Sequence, residues 1–384
     1  MKIGILTIHD SPNYGASLQC YALWEYLAEQ GYDCEIIDLH RPGAHSDYVP
    51  SNKYHRCRPL YQRKSTKLKK YVKRLFGIKA KPIHYYNDDA KKKFVEFNSL
   101  YKKSKPYTSI DAFYENPPQY DIYIAGSDQL WNPTQAYCIE PYFLTFVSGS
   151  EKKKISFSTS IGITELTDAE KKMFKAWLND FTAISVREKQ AKQLLESFVG
   201  REVNQISDPT FLLSPSSWHS IANTPTLKEP YILYFALHFD KTLLNYCQKL
   251  SEESGLRLYV LNQTQPDSID NSYVAIKDAG PRDFLGYIEN AEMVITDSFH
   301  GTVFSLIMGV KNFYTHISPK NKRGSRIEDL LETHALKNHI LREDLSRTYS
   351  DLQKGIIERQ QVISVINRER TRSIDYLKAV IEEK

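Results

Sequence analysis

The first forty residues restrict the fold more than any other stretch of the chain. Residues 2–7 are a run of buried-strand type, Lys-Ile-Gly-Ile-Leu-Thr. Residues 14–30 then place Leu18, Tyr21, Ala22, Leu23, Tyr26 and Leu27 at helical spacing. Gly31 follows as a helix stop, and residues 34–39 return to strand character. Strand, helix and strand over this length make a βαβ unit, which sets its two strands parallel in one sheet with a right-handed crossover. His9-Asp10-Ser11-Pro12-Asn13 interrupts the opening apolar run, which therefore reads as a core strand and not as an exported leader.

The alternation persists. Strand character recurs at 120–125, 154–158, 183–186 and around 203–206, with helical patterns at 167–180 and 188–199 and Thr167 as an N-cap. Asp208-Pro209-Thr210 closes this half, and the Ser-, Pro- and Thr-rich stretch 214–230 reads as a linker. Beyond it, strands at 231–236, 256–261, 293–296 and 312–315 alternate with helices at 240–254, 281–290, 301–309 and 326–332. Residues 351–383 form one long helical pattern. The expected organisation is a Rossmann-like domain over 1–214, a linker at 215–230, a second Rossmann-like domain over 231–350 and a C-terminal helix over 351–384. Two doubly wound α/β domains facing each other across a cleft are the economical architecture, and 384 residues are enough to build them.

Composition excludes several classes. The chain is 41% hydrophobic and 25% charged, the balance of a soluble globular protein. No apolar run reaches the roughly 20 residues of a membrane-spanning helix. Five cysteines (20, 34, 57, 138 and 247) form no CxxC pair and no zinc pattern. Reduced thiols in a cytoplasmic protein, with no metal, are the expectation. The net charge of +5 is uneven: residues 52–105 hold 18 Lys/Arg against 3 Asp/Glu, so the remainder is net acidic. This segment is helical in part, at 67–76 and 88–101. Two readings stand for it. One is a solvated helical insertion. The other is attraction to an anion: a phosphorylated substrate, a lipid diphosphate or the membrane surface. Tyr54, Tyr61, Tyr71, Tyr85 and Tyr86 interleave with the charges, but no nucleic-acid module is visible and nucleic acid is not an expected partner.

Open α/β sheets bind ligands just beyond the carboxyl ends of their strands, and four polar segments stand there. Asn13-Tyr14-Gly15-Ala16-Ser17 joins the first strand to its helix, where Gly15 lets backbone approach a ligand or simply makes a βα turn. Gly126-Ser127-Asp128-Gln129-Leu130-Trp131-Asn132-Pro133 offers hydrogen bonds and an indole suited to a sugar. Alternatively Asp128 caps a helix and Trp131 packs in the core. In Ser185-Val186-Arg187-Glu188, Arg187 either holds a phosphate or carboxylate bidentately or pairs locally with Glu188 or Asp208. Thr296-Asp297-Ser298-Phe299-His300-Gly301-Thr302 places a histidine near an aspartate where a helix opens at Gly301-Thr302, a corner suited to an anionic ligand. Lys320, Lys322, Arg323 and Arg326 follow the next strand and add positive charge.

Taken in order over residues 1 to about 335, these segments and Asp208-Pro209-Thr210 resemble the polysaccharide pyruvyl transferase family. The resemblance implies a GT-B-like fold, phosphoenolpyruvate as donor and a sugar of a bacterial-type surface or capsular polysaccharide precursor as acceptor. The product would be a pyruvate ketal. The family's donor-binding arginine and histidine map onto Arg187 and His300, and its later basic residues onto Lys320 and Arg326. One departure stands out. Several members carry Arg-Leu-His where this chain has Ser298-Phe299-His300. That arginine's work then falls to Ser298, to the helix N-terminus at Gly301 and Thr302, or to the downstream basic cluster.

The chemistry gives each residue an expected task. Phosphoenolpyruvate is the co-substrate, with no further cofactor, and its phosphate and carboxylate need an electropositive site: Arg187, a helix N-terminus, and Lys320 or Arg326. Ketal formation needs a proton on the donor methylene. Imidazole is the side chain that ordinarily titrates near neutral pH, so His300 is the expected general acid–base. Asp297 orients the imidazole or caps the helix, and Asp128 accepts a proton from the acceptor hydroxyl. Asn13, Tyr14, Gly15, Ser127, Asp128 and Trp131 are expected to hold the acceptor, for which the basic segment suggests a lipid diphosphate and peripheral contact with the inner face of the cell membrane. Two other readings remain: a GT-B glycosyltransferase using a nucleotide sugar, and an inactive GT-B-like module that binds glycan.

Overall fold

The computed structural model describes residues 1–42, 44–51, 53, 86–227, 229–237, 240–261, 272–318, 324–355 and 357–382. Elements in the first half are β1 (Lys2–Leu6), α1 (Tyr14–Glu29), β2 (Asp33–Ile36), α2 (Asp88–Phe97), α3 (Ile110–Glu115), β3 (Ile122–Ala125), β4 (Lys153–Ser156), α4 (Asp168–Leu178), β5 (Ser185–Val186), α5 (Lys189–Val199) and β6 (Asn204–Gln205). The second half contains α6 (Pro215–Ile221), β7 (Tyr231–Phe235), α7 (Lys241–Ser254), β8 (Arg257–Val260), β9 (Val274–Ala275), α8 (Pro281–Glu289), β10 (Met293–Thr296), α9 (Phe299–Ile307), β11 (Phe313–His316), α10 (Ser325–Thr333), β12 (Ile340–Leu341), α11 (Tyr349–Gln353) and α12 (Arg359–Glu382).

Both sheets are parallel. The first runs β2-β1-β3-β4. Bridges from Ile155 to Ala183 and from Thr159 to Val186 carry it on to the β5-β6 pair. The second runs β12-β11-β10-β7-β8-β9. In the first sheet the strand order reverses between β1 and β3, and in the second between β7 and β10. Those two crevices are where a doubly wound sheet presents ligands. Leu6 pairs with Ala125 at one and Phe235 with Thr296 at the other, so the loops that follow leave side by side.

The helices start where their sequences provide caps. Thr167 and Glu170 form a reciprocal capping box on α4, and Asp240 accepts from two backbone N–H groups of α7. Helix α1 is buried around most of its circumference, because it lies between the first sheet and the second half, touching α8 and α9. Tyr14 stacks on Phe284 of α8 at 4.6 Å and donates its hydroxyl to the Ala279 carbonyl. One apolar cluster consequently runs through both halves, from Ile3 and Tyr14 to Phe284, Phe304 and Ile381.

Three expectations change. The stretch read as a linker contains α6, capped by Ser214, with Trp218 fully buried and its indole N–H on the Thr210 carbonyl. The tail is two helices and not one: it breaks at Gly355, where a Cβ would collide with the Tyr314 hydroxyl. After the break, α12 returns to the first half, where Lys153 Nζ donates to the Val380 and Ile381 carbonyls at 3.1 and 3.0 Å. Finally, α9 begins at Phe299, two residues before the expected start. Of the basic segment, the helical stretch expected at 88–101 is α2, whereas that at 67–76 lies outside the described residues, as do Tyr54, Tyr61, Tyr71, Tyr85 and Cys57. No helix among the described residues is long and apolar enough to cross a membrane.

Candidate active site

Asp208, in the loop after β6, is the centre of the site. Its side chain is fully buried. Oδ2 accepts from Arg187 Nη1 at 2.5 Å and from Ser127 Oγ at 3.2 Å. Oδ1 accepts from the Thr210 backbone N–H at 3.1 Å and its hydroxyl at 2.8 Å. From the second half, His300 Nε2 stands 3.4 Å from Oδ2, an ion-pair distance without the alignment of a hydrogen bond. Burial pushes the Asp208 carboxyl up, but His300, Arg187 and the Thr210 N–H outweigh it and hold it well below the usual carboxylate range. Burial likewise disfavours the Arg187 cation, and Asp208, Glu188 and Asp128 more than restore it.

A second carboxylate extends the cluster. Glu188 is buried and accepts a short hydrogen bond from the Ser160 hydroxyl. Its Oε1 lies 4.0 Å from Arg187 Nε and 4.0 Å from Arg326 Nε. The Phe299 ring lies against both cations, 4.3 Å from the Arg187 guanidinium carbon and 5.6 Å from that of Arg326. Despite these neighbours, Arg187 Nε and Nη2 are buried without a hydrogen-bond acceptor. Buried guanidinium N–H groups are costly to leave unmet, and the Arg187 residue that carries them lines a cavity of about 210 Å³ together with Asp208, Phe299 and Arg326. An anionic ligand would meet them.

Gly15 has an unexpected neighbour. A Cβ at this position would collide with the His300 imidazole. The close approach that glycine permits at the start of α1 is therefore taken by a side chain of the second half. This contact presses the histidine between α1 and the Asp208 loop and joins the two crevices into one site.

The structure brings Arg187, Arg326 and His300 together and places other expected site residues elsewhere. Asp297 neither orients the imidazole nor caps α9. Its Oδ1 accepts from the Leu237 N–H at 2.6 Å across the β7–β10 crevice, and Asp208 is the carboxylate at the imidazole. Ser298 is the N-cap: its hydroxyl accepts from the Gly301 N–H at 3.2 Å, while the Thr302 N–H goes to the Ser298 carbonyl at 3.0 Å. The N–H groups expected to meet a ligand at Gly301 and Thr302 are thus engaged inside the helix. The Thr302 hydroxyl is buried against Ser298 and Thr315. Lys320, with Lys322 and Arg323, lies outside the described residues.

The expected acceptor loops are largely inward. Trp131 is fully buried, stacked on Phe143 at 5.3 Å with its N–H on the Tyr142 carbonyl. Tyr14 is core, as described. Asn13 caps α1 through the Ala16 N–H. Ser127 is buried and supports Asp208. Asp128 is half-buried, in a left-handed turn at φ 70°, and its Oδ1 accepts from the next backbone N–H. It is close enough to Arg187 to help hold that cation charged.

The sequence marks Asp208 as a local partner for Arg187 and as part of the Asp208-Pro209-Thr210 segment, but not as the partner of His300. Glu188 was visible in the same role. Nothing local marks Ser160 or Phe299. Among the described residues no group of three or more His, Cys, Asp and Glu side chains could hold a metal ion. The described cysteines are buried free thiols, and burial pushes that of Cys34 up to about 12, which removes it as a nucleophile.

A family model described as polysaccharide pyruvyl transferase matches residues 13–315. No curated protein sequence matches the chain. Among solved structures, trehalose-6-phosphate from E. coli bound with UDP-2-fluoro glucose is 10% identical with a TM-score of 0.54, covering 99% of each chain. Arabidopsis thaliana UGT89C1 complexed with quercetin is 11% identical with a TM-score of 0.52, covering 99% of this chain and 98% of the other. The S. aureus MnaA–UDP co-structure is 10% identical with a TM-score of 0.50, covering 99% and 97%. At such identities the likeness carries the fold alone, which is the two-domain Rossmann-like GT-B arrangement.

Proposed function

This chain belongs to the polysaccharide pyruvyl transferase family, and we propose that it transfers the pyruvyl group of phosphoenolpyruvate to two hydroxyls of a sugar in a surface or capsular polysaccharide precursor. The observation that carries this reading is the Arg187–Asp208–His300 cluster. It joins the two halves and leaves two buried guanidinium nitrogens without an acceptor beside an arginine-walled cavity.

In this reading Arg187 and Arg326 take the donor's carboxylate and phosphate. His300, held by Asp208, gives a proton to the donor methylene, which becomes a methyl group and leaves an oxocarbenium-like carbon. A sugar hydroxyl attacks that carbon and loses its proton to Asp128 or to the imidazole. Inorganic phosphate then departs with the C–O bonding pair. The second hydroxyl closes the ketal and releases the last proton. Asp208 stabilises the imidazolium and does not itself carry the proton, consistent with a carboxyl held far below neutral pH. The reaction runs in the cytoplasm. A lipid-diphosphate-linked acceptor would suit the 18 Lys/Arg of residues 52–105 and bring the protein to the inner membrane face.

The deciding experiment incubates the protein with phosphoenolpyruvate and lipid-linked sugars. Mass spectrometry should find the added pyruvate ketal, with matching phosphate release. Thermal shift distinguishes the nucleotide-sugar reading: phosphoenolpyruvate at 100 times its Kd should add about 2.7 kcal/mol, and stabilisation by a nucleotide alone would overturn the donor assignment.

A further inference from the structure

The arginine-walled cavity has a wall that the cluster around Asp208 does not use. Helix α12, folded back from the second half onto the first, contributes Arg372 to the lining, and α10 is followed by His334 on the same wall. Both lie beyond the residues the family model matches. The three arginines of the lining differ in their commitments. Arg187 is paired with Asp208, and Arg326 lies near Glu188 and Phe299. Arg372 is exposed and makes no hydrogen bond or ion pair among the described residues.

The acidic groups of the same wall are occupied. Glu369 accepts from the Ser207 hydroxyl at 2.8 Å and pairs with Arg368 at 3.6 Å. Asp329 accepts from the Lys189 N–H at 3.0 Å. Neither forms an ion pair with Arg372 among the described residues. His334 is the complementary group. It is 2% exposed, its Nδ1 lies 2.8 Å from the Leu330 carbonyl, and its Nε2 is buried without a partner. Burial pushes its pKa down, so the ring is neutral, with the proton on Nδ1 and a lone pair on Nε2. The cavity therefore offers buried N–H groups from Arg187, a free cation at its mouth and a buried acceptor. Monohydrogen phosphate, or a phosphate monoester in its monoanionic form, supplies both the oxyanions and the O–H that these groups need.

We propose that Arg372, carried by the C-terminal helix, binds the phosphate end of the donor and the inorganic phosphate released from it, within the cavity shared with Arg187 and His334. This rests on the donor reading above for the identity of the organic ligand, but phosphate binding itself does not. Because Arg372 contacts a group that is charged in both donor and product, it lowers KM and leaves kcat nearly unchanged.

The test is calorimetric titration of the full chain with inorganic phosphate and with phosphoenolpyruvate, for the wild type, Arg372→Ala, Arg372→Lys and Lys378→Ala. The last removes an equal charge from the same helix outside the cavity. Arg372→Ala should weaken phosphate binding and raise KM for the donor about 10-fold, with kcat changed less than about twofold. Arg372→Lys should recover part of the loss, and Lys378→Ala should match the wild type. Equal phosphate affinity in Arg372→Ala and wild type, or no phosphate binding by the wild type, overturns the inference. Arg372-dependent phosphate binding without any ketal product would instead sink the proposed reaction and leave this site standing. A normal reaction with Arg372→Ala unchanged in KM would do the reverse.

Discussion

Two polar regions of this molecule invite comparison: the loop past the carboxyl end of the central strand β3, and the cluster built on the loop after the edge strand β6. The loop after β3, around Trp131, closes its own accounts: the indole N–H reaches Tyr142, Asn132 donates to Gln129, and Asp128 takes the next backbone N–H. The cluster around Asp208 does not. Arg187 keeps two buried nitrogens without an acceptor, and His300 faces its carboxylate without hydrogen-bond alignment. Both loops are polar in composition, and only one is unsatisfied in three dimensions. A completed network stabilises the fold, whereas an incomplete buried one calls for an explanation outside the fold itself.

This contrast predicts effects of different kinds. The largest belongs to His300→Ala, which should cut kcat by about 10²- to 10⁴-fold with the circular dichroism spectrum intact; near-normal turnover would remove the imidazole from the chemistry. Asp208→Asn should be felt in stability as well, because it leaves Arg187 buried beside a neutral amide. A loss of about 3–5 kcal/mol in denaturant unfolding is expected.

The same carboxylate sets a pH dependence. Its folded pKa is lowered, so its stabilisation is complete above the unfolded value of about 4 and is lost as pH falls toward the folded one. The acid limb of the stability curve should therefore be shallower in Asp208→Asn than in the wild type, and equal slopes would show that the ion pair contributes nothing.

Smaller effects test the other side. Gly15→Ala should cost about 1–3 kcal/mol and lower turnover together with the melting temperature, since the new methyl displaces the imidazole. A variant with normal turnover would show that His300 needs no such support. Trp131→Phe should cost about 2 kcal/mol by stranding the Tyr142 carbonyl while leaving KM for the acceptor unchanged. A selective rise in that KM would return Trp131 to the sugar site. Asn13→Ala should remove only a helix cap, about 1 kcal/mol, in thermal unfolding.

Legibility in the sequence followed the range of the interaction. The opening βαβ unit, the β10 strand, the capped start of α4 and the helical span of α7 were readable, because periodicity and caps act within a few residues. The stretch read as a linker also carries a helix, which was not legible because Trp218 finds its pocket from elsewhere in the chain, against Tyr21 and Phe304. The helix expected from Gly301 begins at Phe299 because Ser298 is its cap. At the site, Arg187 and His300 were visible as chemistry at strand ends, whereas Asp297, expected to orient the imidazole or to cap the helix, instead accepts from the Leu237 N–H.

By itself the sequence determined the α/β class, two wound halves and an arginine and a histidine at ligand-bearing corners, since each depends on local pattern and residue type. Only the tertiary structure decided which carboxylate serves the imidazole, what Gly15 makes room for and which arginines share a cavity. Asp208 meets Ser127 across 81 positions of chain, and it meets His300 from a different sheet. No local pattern encodes such meetings. They follow from the packing of two sheets against α1 and from the return of α12, which choose among polar side chains by where the remaining buried charge can be paired.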